Sequence, residues 1–262
     1  MTDRRTALRA AALLAAGLLW IAGPARAADV RVMISGDFFE TFRELVPAFE
    51  QASGHKVIVI SGASMGGAPD SIPARLARDE PADVIILAAS GLEGQIKAGK
   101  AVAGSRVDLV RSSIGMAVKA GAPKPDISTV EALTKTLLAA KSIAYSASAS
   151  GVYLSTELFP KLGIADRLRD TAKRWESVRI GAVVARGDAE IGFQQISEFM
   201  GIAGLDYVGP LPASVQRVTI FSAGIASSSK EPDAAKALIA FVASPAAAAA
   251  IARNGLEQVT GK

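Results

Sequence analysis

Three short segments carry the residue types that an anion site needs. Ser35-Gly36-Asp37, Ser61-Gly62-Ala63-Ser64-Met65-Gly66-Gly67 and Ser146-Ala147-Ser148-Ala149-Ser150-Gly151-Val152-Tyr153 are rich in hydroxyls and glycine. Backbone N–H groups can therefore approach a ligand closely, and hydroxyls add further donors. Each segment joins a β-branched run to a helical pattern, and at a helix N-terminus the first N–H groups lack partners and the macrodipole is positive. Three such turns converging on one point suit a small anion. The plainer reading makes each serine an ordinary helix N-cap. Asp37 opposes anion binding: unprotonated within about 4 Å of an oxyanion it would cost about 4 kcal/mol at an effective dielectric of 20, roughly a thousandfold in affinity. Asp37 either turns outward and caps the helix that follows, or faces the ligand and makes a bare oxyanion a poor one.

The elements that must position these turns alternate along the chain. Val30–Ile34, Lys56–Ile60 and Asp83–Leu87 read as strands buried on both faces, each followed by an amphipathic segment, at Phe38–Gln51, Ser71–Arg78 and Gly91–Ala98. This βαβαβα pattern implies a parallel sheet with ligand sites at the carboxyl ends of its strands. Further strands are expected at Gly115–Lys119, Ser142–Tyr145, Glu190–Phe193 and Arg217–Phe221, and helices at Ser128–Ala139, Val152–Leu162, Ala165–Lys173, Ala234–Val242 and along the Ala-rich stretch Ala246–Ala252. Val107–Arg111 and Gly209-Pro210-Leu211-Pro212 read as crossings between lobes. The expected organisation is a leader over residues 1–27, a first lobe from 28–110 and 213–262, and a second lobe over 111–212, with a hinge and a central cleft, where pockets tend to form.

The leader is read from Arg4, Arg5 and Arg9 ahead of the apolar run Ala10–Ala22 and the small-residue site Ala25-Arg26-Ala27. Cleavage after Ala27 would place the mature protein in the periplasm, and Arg4-Arg5 also fits a twin-arginine export signal. The 262-residue chain has 29 basic and 25 acidic residues; without Arg4, Arg5, Arg9, Arg26 and Asp3 the balance is 25 to 24. The mature net charge near +1 thus argues against nucleic acid as a partner. No later run is long enough for a membrane span, and the expected state is a monomer. With no cysteine and one histidine, His55, neither a zinc site nor a Ser-His-Asp triad is expected. His55, at the amino end of its strand, reads as a surface residue.

The segments RVMISGDFFETFRELVPAFEQASGHKVIV, IPARLARDEPADVIIL, YSASASGVYLSTELFPKLGI and ARGDAEIGFQQ, with the closing helices after SAGIASSSKEPDAAKALIAF, resemble the periplasmic molybdate-binding proteins of ABC importers, over nearly the whole mature chain. The resemblance implies the type II periplasmic binding fold, two α/β lobes around a cleft. It also implies site positions. Ser35 and Asp37, with Gly36 between them, stand where those proteins present a small residue and a serine; Ser64 lies in the loop of their second serine; Ser150 and Val178 fall at backbone-donor positions; Gln195 replaces a tyrosine. Ser61, Met65, Ser148 and Gly151 complete the same loops. The departures gather at the ligand, and the combination of Ser35-Gly36, Pro81-Ala82-Asp83, Ser150-Gly151-Val152-Tyr153 and Gly192-Phe193-Gln194-Gln195 is similar to a branch of the family that includes the exported bacterial aconitate isomerase.

Membership of that branch would imply a carbon-based polyanion and a proton transfer. Moving the double bond of aconitate requires removing a proton beside one carboxylate and returning one two carbons away, with donors fixed around the carboxylate oxygens. The three turns would supply the donors and Asp37 the base, strengthened by partial desolvation. Tyr153 is the second candidate, as an acid, against a packing role one turn into a helix. Arg75 and Arg179 are candidates for pairing with substrate carboxylates, and both could equally face solvent. Phe38, Phe39 and Phe42 read as core or cleft wall. No metal or organic cofactor is required. The expectation is an isomerase of a small tricarboxylate; the alternative is a receptor that passes a molybdate-like oxyanion or carboxylate to an ABC permease.

Overall fold

The computed structural model describes residues 27–259; the expected leader lies outside them except for Ala27. Two sheets organise the chain. The first has six strands in the order β11-β4-β10-β3-β1-β2, where β1 is Asp29–Ile34, β2 Lys56–Ser61, β3 Val84–Ala88, β4 Val107–Ser112, β10 Thr219–Ile225 and β11 Glu257–Gln258. The second has five, in the order β7-β6-β8-β5-β9, where β5 is Ile114–Lys119, β6 Ile143–Ser146, β7 Ala172–Trp175, β8 Ile191–Gln195 and β9 Leu205–Pro210. β1 pairs in parallel with both β2 and β3, as the βαβαβα pattern requires. The expected crossing at Val107–Arg111 is itself a strand of the first sheet, and the passage to the second falls on Ser113 alone, between β4 and β5. The return runs from Pro210 to Thr219.

The strand period of two separates the core into layers on either face of each sheet. Val30, Val32, Ile34, Val84 and Ile86 pack against Phe38, Phe42, Leu45 and Phe49 of α1 (Gly36–Ser53) and against α7 (Pro232–Ala243), while Met33, Ile85 and Leu87 face the other way, onto α2 (Ile72–Ala77) and α3 (Ala89–Lys97). β3 is buried throughout because helices cover both of its faces. β2 departs from the expected double burial: it is the edge strand, with Lys56, Ile58 and Ser61 exposed. In the second sheet, Ile114, Met116, Ile143 and Phe193 pack on α4 (Val130–Ala139), and Ala117 and Ala144 pack on α6 (Ile180–Arg186).

Two expected helices take another form. Val152–Leu162 becomes α5 (Ala149–Tyr153), a π-helical turn at Leu154–Leu158 and a last turn at Phe159–Lys161. Ala165–Lys173 shortens to a 3₁₀ turn at Asp166–Leu168, and Ala172-Lys173-Arg174-Trp175 becomes the edge strand β7, a segment of four residues in which two adjacent basic residues leave no period of two to oppose the helical reading. α1 ends at Gly54, whose φ of 75° supplies the left-handed C-terminal residue. The Ala-rich stretch forms a 3₁₀ turn at Pro245–Ala247 and α8 (Ala248–Arg253). Among the described residues no single helix is long and apolar enough to cross a membrane.

Candidate functional site

The three hydroxyl-rich turns meet between the two sheets. Ser61, Gly62 and Ala63 follow β2, Ser146, Ala147 and Ser148 follow β6, and with Gly36, Asp70, Trp175, Ser177, Val178, Arg179, Gln194 and Glu198 they line a cleft of about 260 Å³. At its inner end Ser35, Gly36, Asp37, Ser64, Ser148, Ser150, Gln195 and Glu198 enclose a chamber of about 10 Å³, room for one water-sized group. Cleft and chamber share Gly36, Ser148 and Glu198. A larger hollow of about 500 Å³ lies elsewhere, against Asp29, Arg31 and Asp83. Those residues sit at the amino ends of β1 and β3, opposite the end at which parallel sheets bind ligands.

Serine capping distinguishes the site from ordinary turns. Ser71 and Thr129 cap α2 and α4, accepting from Ala74 and Ala132 N–H at 3.3 and 3.1 Å. Ser35 and Ser148 occupy the same position ahead of α1 and α5, and neither side chain makes a capping bond. The Ser35 hydroxyl is buried without any partner, which leaves a donor free for a ligand. Ser64 is fully buried and its Oγ accepts from Ala88 N–H at 3.2 Å, so its own proton stays available. Ser150 Oγ lies 3.2 Å from Ser146 Oγ.

Asp37 turns inward, at 3% exposure, and not outward as a cap. Its Oδ1 accepts from Ser112 Oγ at 2.7 Å and from Ser197 Oγ at 2.5 Å, whereas Oδ2 is buried without a partner. Desolvation raises its pKa from 3.8 to about 6, against the stabilising pull of the Ser197 and Ser112 hydroxyls. Gln195 is held rather than free: its Oε1 lies 3.2 Å from Ser112 Oγ and its Nε2 donates to Thr219 Oγ1 at 3.1 Å. Ser112 has a single proton, and the shorter contact assigns it to Asp37.

Glu198, in the 3₁₀ turn Ile196–Phe199 after β8, is a site residue absent from the sequence reading. It is 8% exposed, and burial followed by the negative charge of Asp37 lifts its pKa from 4.5 to about 8, despite Arg179 nearby. Its carboxyl fills the space where a Gly36 side chain would stand: a Cβ there would lie 2.2 Å from Glu198 Oε1. Only its position three residues past a fully buried strand, in IGFQQISE, marks it in the sequence. Trp175 was also absent from that reading; it lines the cleft, and its indole N–H is buried without a partner.

Arg179 lines the cleft as expected, with Nη2 2.9 Å from Glu40 Oε1 and its guanidinium 5.5 Å from the Phe39 ring centre. Val178 and Ser61 line it too. Phe38 and Phe42 belong to the core, and Phe39 is half-buried beneath Arg43 and Arg179. Four other expected residues are not brought to the site. Tyr153 donates its hydroxyl proton to Val215 O at 2.7 Å, lies beneath Arg217 and lines neither cavity, so its role is packing and not acid catalysis. Arg75 is committed to Glu80 at 2.6 Å and to Asp70 O at 3.1 Å. Met65 lines neither cavity. Gly151 serves the tight turn from β6, where a Cβ would meet Ser146 O at 1.6 Å. His55 is half-exposed, stacked on Phe49, with Nδ1 accepting from Ala28 N–H at 3.1 Å. Among the described residues no group of three or more His, Cys, Asp or Glu is arranged to hold a metal ion.

Two α/β sheets joined by two crossings around a donor-lined cleft define the type II periplasmic binding-protein fold. The chain belongs to the bacterial extracellular solute-binding protein family, whose model matches residues 30–257. A curated relative, the aconitate isomerase of a Pseudomonas species, is 45% identical over 249 residues, which cover 95% of this chain and 94% of that protein. The molybdate-binding protein ModA of Azotobacter vinelandii is 27% identical over 251 residues, covering 92% and 94%. The solved structure of the Azotobacter vinelandii periplasmic molybdate-binding protein superposes with a TM-score of 0.70 at 23% identity, covering 89% of this chain and all of that one.

Proposed function

We propose that this protein is an aconitate isomerase that moves the substrate's double bond by proton transfer, with Asp37 as the base. The observation that carries the reading is a buried carboxylate with one unpartnered oxygen, Asp37 Oδ2, in a chamber lined mainly by serine hydroxyls, with Glu198 its one other carboxyl, in a chain 45% identical to an aconitate isomerase. Such a carboxylate opposes a bare oxyanion but has a use when the ligand carries an acidic C–H bond. Ser35, Ser64, Ser148, Ser150 and the first N–H groups of α1 receive one oxygen of a substrate carboxylate at the inner end. Arg179 and the Trp175 indole N–H receive another carboxylate toward the mouth. Negative charge developing on the allylic anion then spreads onto oxygens already hydrogen-bonded, which lowers the barrier.

The sheets form two lobes in this reading, with Ser113 and the 211–218 segment as hinges. The protein acts as a periplasmic monomer after cleavage behind Ala27, and no step asks for a cofactor. N-terminal sequencing of periplasmic material tests the cleavage. A second reading is favoured by the molybdate-binding relatives: a receptor that delivers a small anion to an ABC permease. Purified protein incubated with trans-aconitate in D₂O, with the vinyl and methylene signals followed by NMR, separates the two. Interconversion of the isomers is expected. Absence of interconversion together with a sharp rise in melting temperature on adding molybdate would overturn the isomerase reading.

A further inference from the structure

We propose that Glu198 is a second proton-handling carboxyl working opposite Asp37, so that the proton removed from one substrate carbon and the proton delivered to the other pass through different side chains. The inference rests on the isomerase reading and adds to it a residue and a division of labour.

The two carboxyls reach the site from different sheets, Asp37 from α1 behind β1 and Glu198 from the turn behind β8. Asp37 lines only the inner chamber, whereas Glu198 lines both chamber and outer cleft. A substrate extending from one cavity into the other passes both. Their spacing is fixed by a shared turn, because Ser197, the neighbour of Glu198, donates to Asp37 Oδ1 at 2.5 Å. A single base would have to move between two carbons separated by a third, yet Asp37 Oδ1 is pinned by two hydroxyls and cannot follow. Gly36 completes the arrangement by leaving room for the Glu198 carboxyl against the start of α1. Burial and the Asp37 charge also keep Glu198 protonated near neutral pH, where Asp37 is ionised.

In the step assigned here, the methylene C–H bond breaks, its electron pair enters the allylic system and its proton forms an O–H bond on Asp37. The Glu198 O–H bond breaks, its electron pair stays on the Glu198 carboxylate, and its proton forms a C–H bond at the former vinyl carbon. The double bond has moved by one position, and the enzyme is left with Asp37 protonated and Glu198 ionised. That is the form needed for the reverse direction, and proton exchange with water restores the original.

The test uses the full mature chain in D₂O with unlabelled cis-aconitate, and Glu198→Gln alongside it. Glutamine matches a protonated glutamic acid in shape, so the fold is retained; melting temperature and KM for aconitate check this. Expected are one solvent deuteron in every molecule of product from the first turnovers and a kcat at least a hundredfold lower in Glu198→Gln, with KM within about threefold. A parent protein that transfers the substrate's own proton to product, or a Glu198→Gln kcat reduced less than tenfold, overturns the proposal and leaves the isomerase reading standing. A parent that turns over no aconitate overturns both.

Discussion

Replacing Asp37 by asparagine should abolish turnover and yet make the protein gain stability relative to the parent as pH rises. Burial lifts the Asp37 pKa from 3.8 to about 6, so the folded state holds this proton more tightly than the unfolded chain does. Stability falls with pH wherever the folded state binds more protons. The penalty is absent below pH 3.8, accumulates through the interval to about 6 and is complete above it. At about 1.4 kcal/mol per pKa unit, a shift of roughly two units amounts to about 3 kcal/mol. Asparagine brings its own cost, because its Nδ2 would occupy the place of Oδ2, which has no partner, and an unsatisfied buried amide costs about 1–3 kcal/mol. That cost is the same at every pH. The decisive quantity is therefore the change in the stability difference between variant and parent from pH 4 to pH 8, expected to be about 3 kcal/mol in favour of the variant. For a chain of this size this corresponds to roughly 6–12 °C in relative melting temperature, measured by calorimetry at intervals across the range. A difference that stays constant within about 1 kcal/mol would refute the reasoning, and one that moves toward the parent would mean that the carboxylate is stabilised by its surroundings, not strained by them.

The pH profile of turnover should be bell-shaped, rising through about 6 as Asp37 ionises and falling through about 8 as Glu198 loses its proton; initial rates between pH 4 and 10 check it, and a flat plateau through pH 9 would contradict it. Gly36→Ala places a methyl 2.2 Å from Glu198 Oε1, the far end of a flexible side chain; the carboxyl should swing aside, lowering kcat about a hundredfold while the melting temperature moves by only a few degrees. Tyr153→Phe should keep kcat within about twofold and cost about 1 kcal/mol of stability through the lost bond to Val215 O, measured by denaturant titration.

The fold was legible in the sequence where one periodicity had no competitor. Val30–Ile34 and Asp83–Leu87 sit in the sheet interior and carry unbroken apolar runs, and Phe38, Phe42, Leu45 and Phe49 mark the buried stripe of α1. Edge elements were less legible because they are only half-covered. β2 looks like a central strand until its place at the sheet edge is known, and β7 has just four residues, two of them adjacent and basic, so it carries no period of two. At the site, local turn chemistry revealed the serines and Asp37, since strand, glycine and helix follow one another in the chain. Glu198 was hidden because its role depends on a contact with Gly36 across 162 positions and on burial that no local pattern announces. Tyr153 misled for the converse reason: it lies in the right turn, but its hydroxyl is taken by a carbonyl far along the chain.

The energetic contrast between a receptor and an enzyme on this scaffold lies in what the inner chamber does with charge. A receptor for an oxyanion gains most when every group around the anion donates a hydrogen bond, and any carboxyl there weakens binding. Here the donors remain, in Ser35, Ser64, Ser150 and the start of α1, while two carboxyls stand among them, one held near ionisation and one held protonated. The charge of Asp37 is itself part of what keeps the proton on Glu198, so the pair shares one proton over the neutral range. A bound polycarboxylate adds more negative charge beside both groups and raises the proton affinity of each further, making Asp37 a stronger base once substrate arrives. Repulsion that would eject a transported anion is thereby turned into basicity toward carbon, and the interaction is most relieved when the proton has moved. The stability penalty at Asp37 and the proposed catalysis thus have one physical origin, and a variant that removes one should remove the other.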